Sequence, residues 1–272
     1  MLGILIGLTT RIVSNSYLNV FQKTLTNSGE KSSVINFYTY LGLTLITGFL
    51  TGNLIFSHEI LINSLIMGLL GALGNYYIIK ALSCGELSIL APINAYKPII
   101  AMIFGIFILN EIPGIKEILG IILIIFGTFL LLNNKFVFSK AIIYRFVALV
   151  CSGTEALFIK KVILLSDINS ALFYWALFGL IFSLLLTMKH KIKIQKQNIK
   201  YQILLIITVG LMQYSTNYIF SKMNVSYALA LFQLSAIISV FLGVNIFREK
   251  DLLRKIKASV IMIAGALFII LN

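Results

Sequence analysis

Three ionisable side chains stand inside apolar stretches of this sequence. Residues 93–100, INAYKPII, set Lys97 beside Pro98 near the middle of an apolar run from Leu87 to Leu109. Glu155 lies within CSGTEALF, and Arg11 opens the series Arg11, Asn15, Asn19 and Gln22, spaced 4, 4 and 3. That spacing stacks the four on one helical face. A charge in hydrocarbon is costly, so such groups face a protein interior or a wet cavity and mark pathways for ions or ligands. Lys97 is about ten residues, or ~15 Å of helix, from either end of its run, too far to snorkel comfortably. It is expected either to pair with an acid, for which Glu155 is the candidate, or to touch a ligand directly. One carboxylate against two cations suits an anion or the carboxylate of a zwitterion. Desolvation makes Glu155 and Lys97 candidates for proton exchange as well.

Polar side chains elsewhere extend this candidate site. Asn94 shares the face of Lys97 and Ala101, while Asn75, Tyr76, Gln213, Tyr214, Asn217 and Ser235 offer amide, phenol and hydroxyl groups to a small polar ligand. Tyr38 and Trp175 are expected as an aromatic wall or cation site, or as ordinary membrane-interface aromatics. Pro92 and Pro98 lack the N–H that would bond the carbonyls of Ser88 and Asn94, so a kink is expected there. Freed carbonyls at membrane depth are tolerated where they line a cavity. GLLGALG (68–74) reads as close helix packing. Cys84 and Cys151 are isolated and His58 and His190 fall in loops, so no metal site is expected. GxxxxGK[ST], HExxH and GxSxG are all absent from the sequence, which points away from an enzyme and from a bound cofactor.

The elements that hold these groups are membrane helices. The 272 residues are 59% apolar and 11% charged, with a mean hydropathy of +1.00, outside the range of soluble domains. Ten apolar runs are expected to span the bilayer: 2–22, 34–56, 60–80, 87–109, 115–133, 141–164, 169–188, 201–222, 224–247 and 256–271. The first is expected to be retained rather than cleaved as a signal peptide. The net charge of +13 sits in loops such as KHKIKIQKQNIK and speaks to topology, not to nucleic acid. Of the 22 Lys and Arg, most fall in odd-numbered connections, among them Lys23, Arg145 and Lys255. The positive-inside rule then puts both termini outside.

The two halves resemble each other. At a shift of 138 residues, GIFILNEIPGIKEILGIILIIFGTFLLLNN lies on GVNIFREKDLLRKIKASVIMIAGALFIILN, placing Gly105 on Gly243, Glu111 on Glu249 and Gly127 on Gly265. The same shift sets Asn75-Tyr76 on Gln213-Tyr214 and Ser88 on Ser226; at 137, Lys23 lies on Lys160 and Phe37-Tyr38 on Tyr174-Trp175. Five helices per half is an odd number, so the second half must enter the membrane from the opposite side. The expected fold is all-α integral membrane, with ten transmembrane helices as two inverted five-helix repeats, 1–134 and 138–272. The counterpart of INAYKPII is LFQLSAII (231–238), without lysine or proline, so charge and kink are both expected in the first half alone.

ALSCGELSILAPINAYKPIIAMIFGIFILNE followed by LGIILIIFGTFLLL resembles the fourth and fifth helices of the drug/metabolite transporter superfamily, EamA-like branch. Ala81-Leu82, Ser88, Pro98, Asn110-Glu111, Gly120 and Gly127 carry the likeness, and SNSYLNVFQKTL resembles the family's first helix. The resemblance implies a multi-pass secondary transporter of the cell membrane, moving a small polar or amphipathic metabolite such as an amino acid by alternating access. Its partners would be the lipid bilayer, the substrate and protons as the candidate coupling ion, as a monomer or homodimer. The sequence departs from the family at Asn15, where a tryptophan is usual, and at Lys97, where an acidic or small residue is common. Family members are usually described with both termini cytoplasmic, opposite to the charge count. The alternatives are a non-transporting structural subunit of a membrane complex and a membrane-embedded transferase.

Overall fold

The computed structural model describes residues 2–52, 54–97, 99–100, 115–132, 139–188, 192–223 and 225–268, with the side chains of Glu117, Ser226 and Tyr227 left out. Pro98, Ala101, Gly105, Asn110, Glu111 and His190 lie outside the described residues. The described residues form helices and connections, with no strand among them. In chain order the helices are α1 (Leu2–Asn27), α2 (Ser32–Leu50), α3 (His58–Leu82), α4 (Leu87–Leu90) and α5 (Ile115–Leu131). They continue with α6 (Lys140–Leu165), α7 (Ile168–Thr187), α8 (Ile199–Lys222), α9 (Val225–Phe232), α10 (Ser235–Phe247) and α11 (Leu252–Phe268).

Polarity runs inward. On α1 the apolar Leu5, Ile6 and Val13 are exposed while Arg11, Ser14, Asn19 and Gln22 are buried, an arrangement that suits a solvent of lipid. Among the described residues, six helical segments are long and apolar enough to cross a membrane: Ser32–Leu50, His58–Leu82, Lys140–Leu165, Ile168–Thr187, Lys196–Lys222 and Ala228–Phe247. α1 is also long, at 26 residues, but its buried polar stripe dilutes its hydropathy. α1 extends five residues past the expected end at 22, to Asn27, and the chain turns away at Gly29, whose φ of +89° suits a residue without Cβ.

Packing respects the internal resemblance. α3 lies along α6 and α1 along α8, while α2 meets α7 and α5 meets α11. Exchanging the halves maps the first two pairings onto each other and each of the last two onto itself. Glycines set the closest approaches: a Cβ on Gly68 would lie 2.3 Å from Phe178 Cβ, and one on Gly265 would lie 2.6 Å from the Gly120 carbonyl. The 68–74 stretch therefore packs closely, as its small residues imply.

Both halves break a helix at the corresponding place. After α4 the chain tightens into a 3-10 turn over Pro92–Tyr96. In the second half α9 ends at Phe232 and α10 begins at Ser235, with Gln233 N–H bonding the Ala230 carbonyl at 3.0 Å and Ala236 N–H bonding that of Gln233 at 2.8 Å. The expectation of a kink in one half only is therefore corrected. Side chains replace proline here, since Gln233 Nε2 donates to the Leu229 carbonyl at 2.5 Å and Ser235 Oγ to that of Phe232 at 2.7 Å. The Asn94 carbonyl is also not left free, because Lys97 N–H donates to it within the 3-10 geometry.

Candidate functional site

A cavity of about 90 Å³ lies between the halves. Arg11, Asn15 and Asn19 reach it from α1, Asn75 from α3, Asn94 and Lys97 from the segment after α4, and Glu155 from α6. Trp175 on α7, Gln213 on α8 and Ser235 on α10 complete the expected residues that line it. The spacing of four on α1 aims Arg11, Asn15 and Asn19 here, whereas Gln22 is buried outside the lining. Arg11 Nε donates to Thr216 Oγ1 at 2.7 Å, and its guanidinium carbon stands 4.6 Å from the centre of the Phe232 ring. Asn15 Nδ2 donates to Ser235 Oγ at 2.9 Å, bringing the two halves into direct contact.

Glu155 is held by tryptophan, not by lysine. Trp175 Nε1 donates to Glu155 Oε1 at 2.6 Å, and the Trp175 ring lies 4.9 Å from that of Tyr40 between centroids. No ion pair within 4.0 Å joins Glu155 to Lys97 among the described residues, which corrects the expected internal pairing. Lys97 does lie within electrostatic range of Arg11, Arg145 and Glu155. Gly71, read from the sequence only as packing, makes room for this acid and its donor.

Arg145 is the site residue that the sequence reading missed. Counted there as a loop cation, it is buried and lines the cavity. Its Nε donates to the Leu90 carbonyl at 3.0 Å. In a continuous α-helix Asn94 N–H would occupy that carbonyl. The 3-10 turn diverts it to Ala91, at 3.2 Å, and leaves the oxygen to the guanidinium. Pro92, by breaking the helix, is the signal that a nearby cation would be drawn in. Thr216 and Gln233 are further lining residues that periodicity alone did not single out.

Four expected residues are placed elsewhere. Tyr76 packs edge-on against Tyr77, 5.2 Å between centroids, beside the Lys80 ammonium. Tyr214 is exposed on the outer face of α8. Asn217 is fully buried and accepts from Gln213 Nε2 at 3.0 Å, behind the cavity wall. Tyr38 lines a separate hollow with Lys193 and Gln202, and its OH donates to the Ile192 carbonyl at 3.4 Å. The pairing of Tyr38 with Trp175 as one aromatic wall is thus corrected: Trp175 lines the cavity, whereas Tyr38 lines the separate hollow.

A second polar cluster ties the halves where α1 ends, α4 begins and α10 gives way to α11. Lys23 Nζ lies 2.7 Å from Glu249 Oε1 and donates to the Gly85 carbonyl at 2.8 Å. Leu87 and Ser88 N–H groups each donate to the Glu249 carboxylate at 2.8 Å, satisfying the orphan donors at the start of α4. Ser88 Oγ also donates to it, and Lys255, buried, bonds Ser88 Oγ at 2.7 Å and pairs with Glu86. Burial opposes ionisation of Glu249, but hydrogen bonds from Lys23 and Ser88 outweigh it and hold its carboxyl below the ordinary value. Lys23 and Lys255 are therefore structural cations and not free loop charges. Lys160, the counterpart of Lys23, donates to the Phe220 carbonyl.

A comparison with curated proteins finds none that match. A solved crystal structure is similar in fold, with a TM-score of 0.69 at 16% sequence identity, covering 99% of this chain and 98% of that one. The profile of the EamA-like transporter family matches residues 1–133 and again residues 139–271. With nearly the whole length matched, half by half, this chain belongs to the EamA-like transporter family and is a multi-pass membrane protein.

Proposed function

We propose that the chain is a secondary transporter in which two inverted five-helix repeats, 1–134 and 138–272, form ten spans and carry a small polar or amphipathic metabolite across the cell membrane by alternating access. The observation that carries this reading is the cavity between the halves, lined by polar and charged groups from α1, α3, α6, α8 and α10. A structural subunit needs no such interior, because buried unpaired polar groups only weaken an assembly. Family membership supports transport in general and leaves the cargo to this chain's own residues. Glu155 is the candidate for proton coupling, being the one carboxylate among the lining residues.

Reconstitution into liposomes tests the reading. Counterflow of at least one compound from a panel of amino acids, organic acids, sugars and quaternary amines is expected. Absence of counterflow for every class would favour the structural subunit. A pH gradient should drive uptake in the native chain and not in Glu155→Gln; equal stimulation of both would remove Glu155 from coupling.

A further inference from the structure

We infer that the cavity is built for a compact anion, its carboxylate or phosphate group held between Arg11 and Lys97; this rests on the cavity being the transport site. The lining holds three cations, Arg11, Lys97 and Arg145, against one carboxylate, Glu155. In a low-dielectric interior such an excess demands a counter-charge. The described residues do not supply it: among them no carboxylate lies within 4.0 Å of Arg11, Lys97 or Arg145. Glu155 is already engaged by Trp175 Nε1.

Arg11 carries the argument furthest. Its Nε is satisfied by Thr216 and its face rests on Phe232, yet Nη1 is buried with no hydrogen-bond partner. A guanidinium fixed through Nε with Nη1 left unpartnered is preorganised for an oxyanion. Lys97 repels Arg11 and Arg145 across the same space, and a ligand anion between them turns repulsion into attraction. A quaternary amine would instead have to bind amid three cations. An uncharged sugar would satisfy the amides of Asn15 and Asn94 while leaving the cations unmatched. Arg145 is a positioning residue, its Nε committed to the Leu90 carbonyl. The cavity volume, about 90 Å³, favours a molecule of few heavy atoms over drug-sized ligands, whose pockets run to about 300–1,000 Å³.

The test uses the full-length protein in detergent and in liposomes, with succinate, inorganic phosphate, L-alanine, choline and glucose as probes. Succinate or phosphate should raise the melting temperature and change the emission of Trp175, the single tryptophan of the chain. The same anion should support counterflow. Arg11→Met and Lys97→Met should each weaken binding about ten- to a hundredfold, as loss of a charge-assisted bond implies, while Lys97→Arg keeps it within about tenfold. Binding or counterflow of choline, glucose or L-alanine without either anion would overturn the inference and leave transport standing. No response to any anion would overturn it as well. Loss of counterflow for every probe would count against transport itself. The native-chain panel decides even if a methionine variant does not fold.

Discussion

Gly71 and Glu155 meet so closely that a Cβ on Gly71 would stand 2.5 Å from Glu155 Oε1 and 2.8 Å from Trp175 Nε1. The glycine is a clearance for a hydrogen bond between α6 and α7, seen from α3. Gly71→Ala should therefore separate the acid from its donor, costing about 1–3 kcal/mol by overpacking. Because Trp175 is the only tryptophan, its emission should shift in this variant. An unchanged spectrum with an unchanged melting temperature would mean that the contact is relieved at no cost.

The Lys23–Glu249 pair should give the fold an acid-sensitive contribution. The carboxyl is held below its ordinary value of 4.5, so its stabilisation is complete above that value and fades as pH falls through the folded-state pKa. Melting temperature should drop on acidification, and less steeply in Glu249→Gln. At neutral pH that variant should lose about 3 kcal/mol, since a buried lysine is left unmatched. Lys23→Met combined with Glu249→Gln should recover part of this loss. Parallel pH profiles for native and Glu249→Gln proteins would assign the acid sensitivity elsewhere.

Arg145→Lys should fail to replace the native residue. The Leu90 carbonyl accepts from guanidinium Nε, and the shorter, differently shaped ammonium does not reproduce that fork. We expect a loss of about 1–3 kcal/mol, the cost of an unmet buried carbonyl, read as a lower melting temperature. Retained stability with lost counterflow would instead place Arg145 in ligand contact.

Asp167 offers a variant away from the cavity. It caps α7 by accepting from Asn169 N–H at 2.8 Å and Ser170 N–H at 3.1 Å. Asp167→Ala should cost about 1 kcal/mol with ligand affinity unchanged. A weakened affinity would show that α7 and Trp175 are set by this cap.

Arg11, Lys97 and Glu155 could be read from the sequence because each violates an apolar background, and their meeting in one cavity follows from the cost of facing lipid. Partners could not be read. Lys97 and Glu155 look complementary in one dimension, but the partner of Glu155 is Trp175, brought by the α6–α7 packing that no periodicity reports. Arg145 was lost by its place near a helix start, where a cation reads as a topogenic loop charge until the Leu90 carbonyl is seen to need it. Tyr214 and Gln213 are adjacent, so a helix must turn one outward; only packing tells that Gln213 faces in.

The two helix breaks differ in permanence. A proline ring bends its helix in every state of the protein, since the missing N–H cannot be restored. The break at Gln233 and Ser235 is held by hydrogen bonds, from those two side chains and from backbone turns across it, with no proline to fix it. The first half thus carries an elbow fixed by a ring, and the second a bend that rests on hydrogen bonds only. Two halves alike in packing are unequal in compliance, and a structure that is nearly symmetric when still has a built-in asymmetry once it moves.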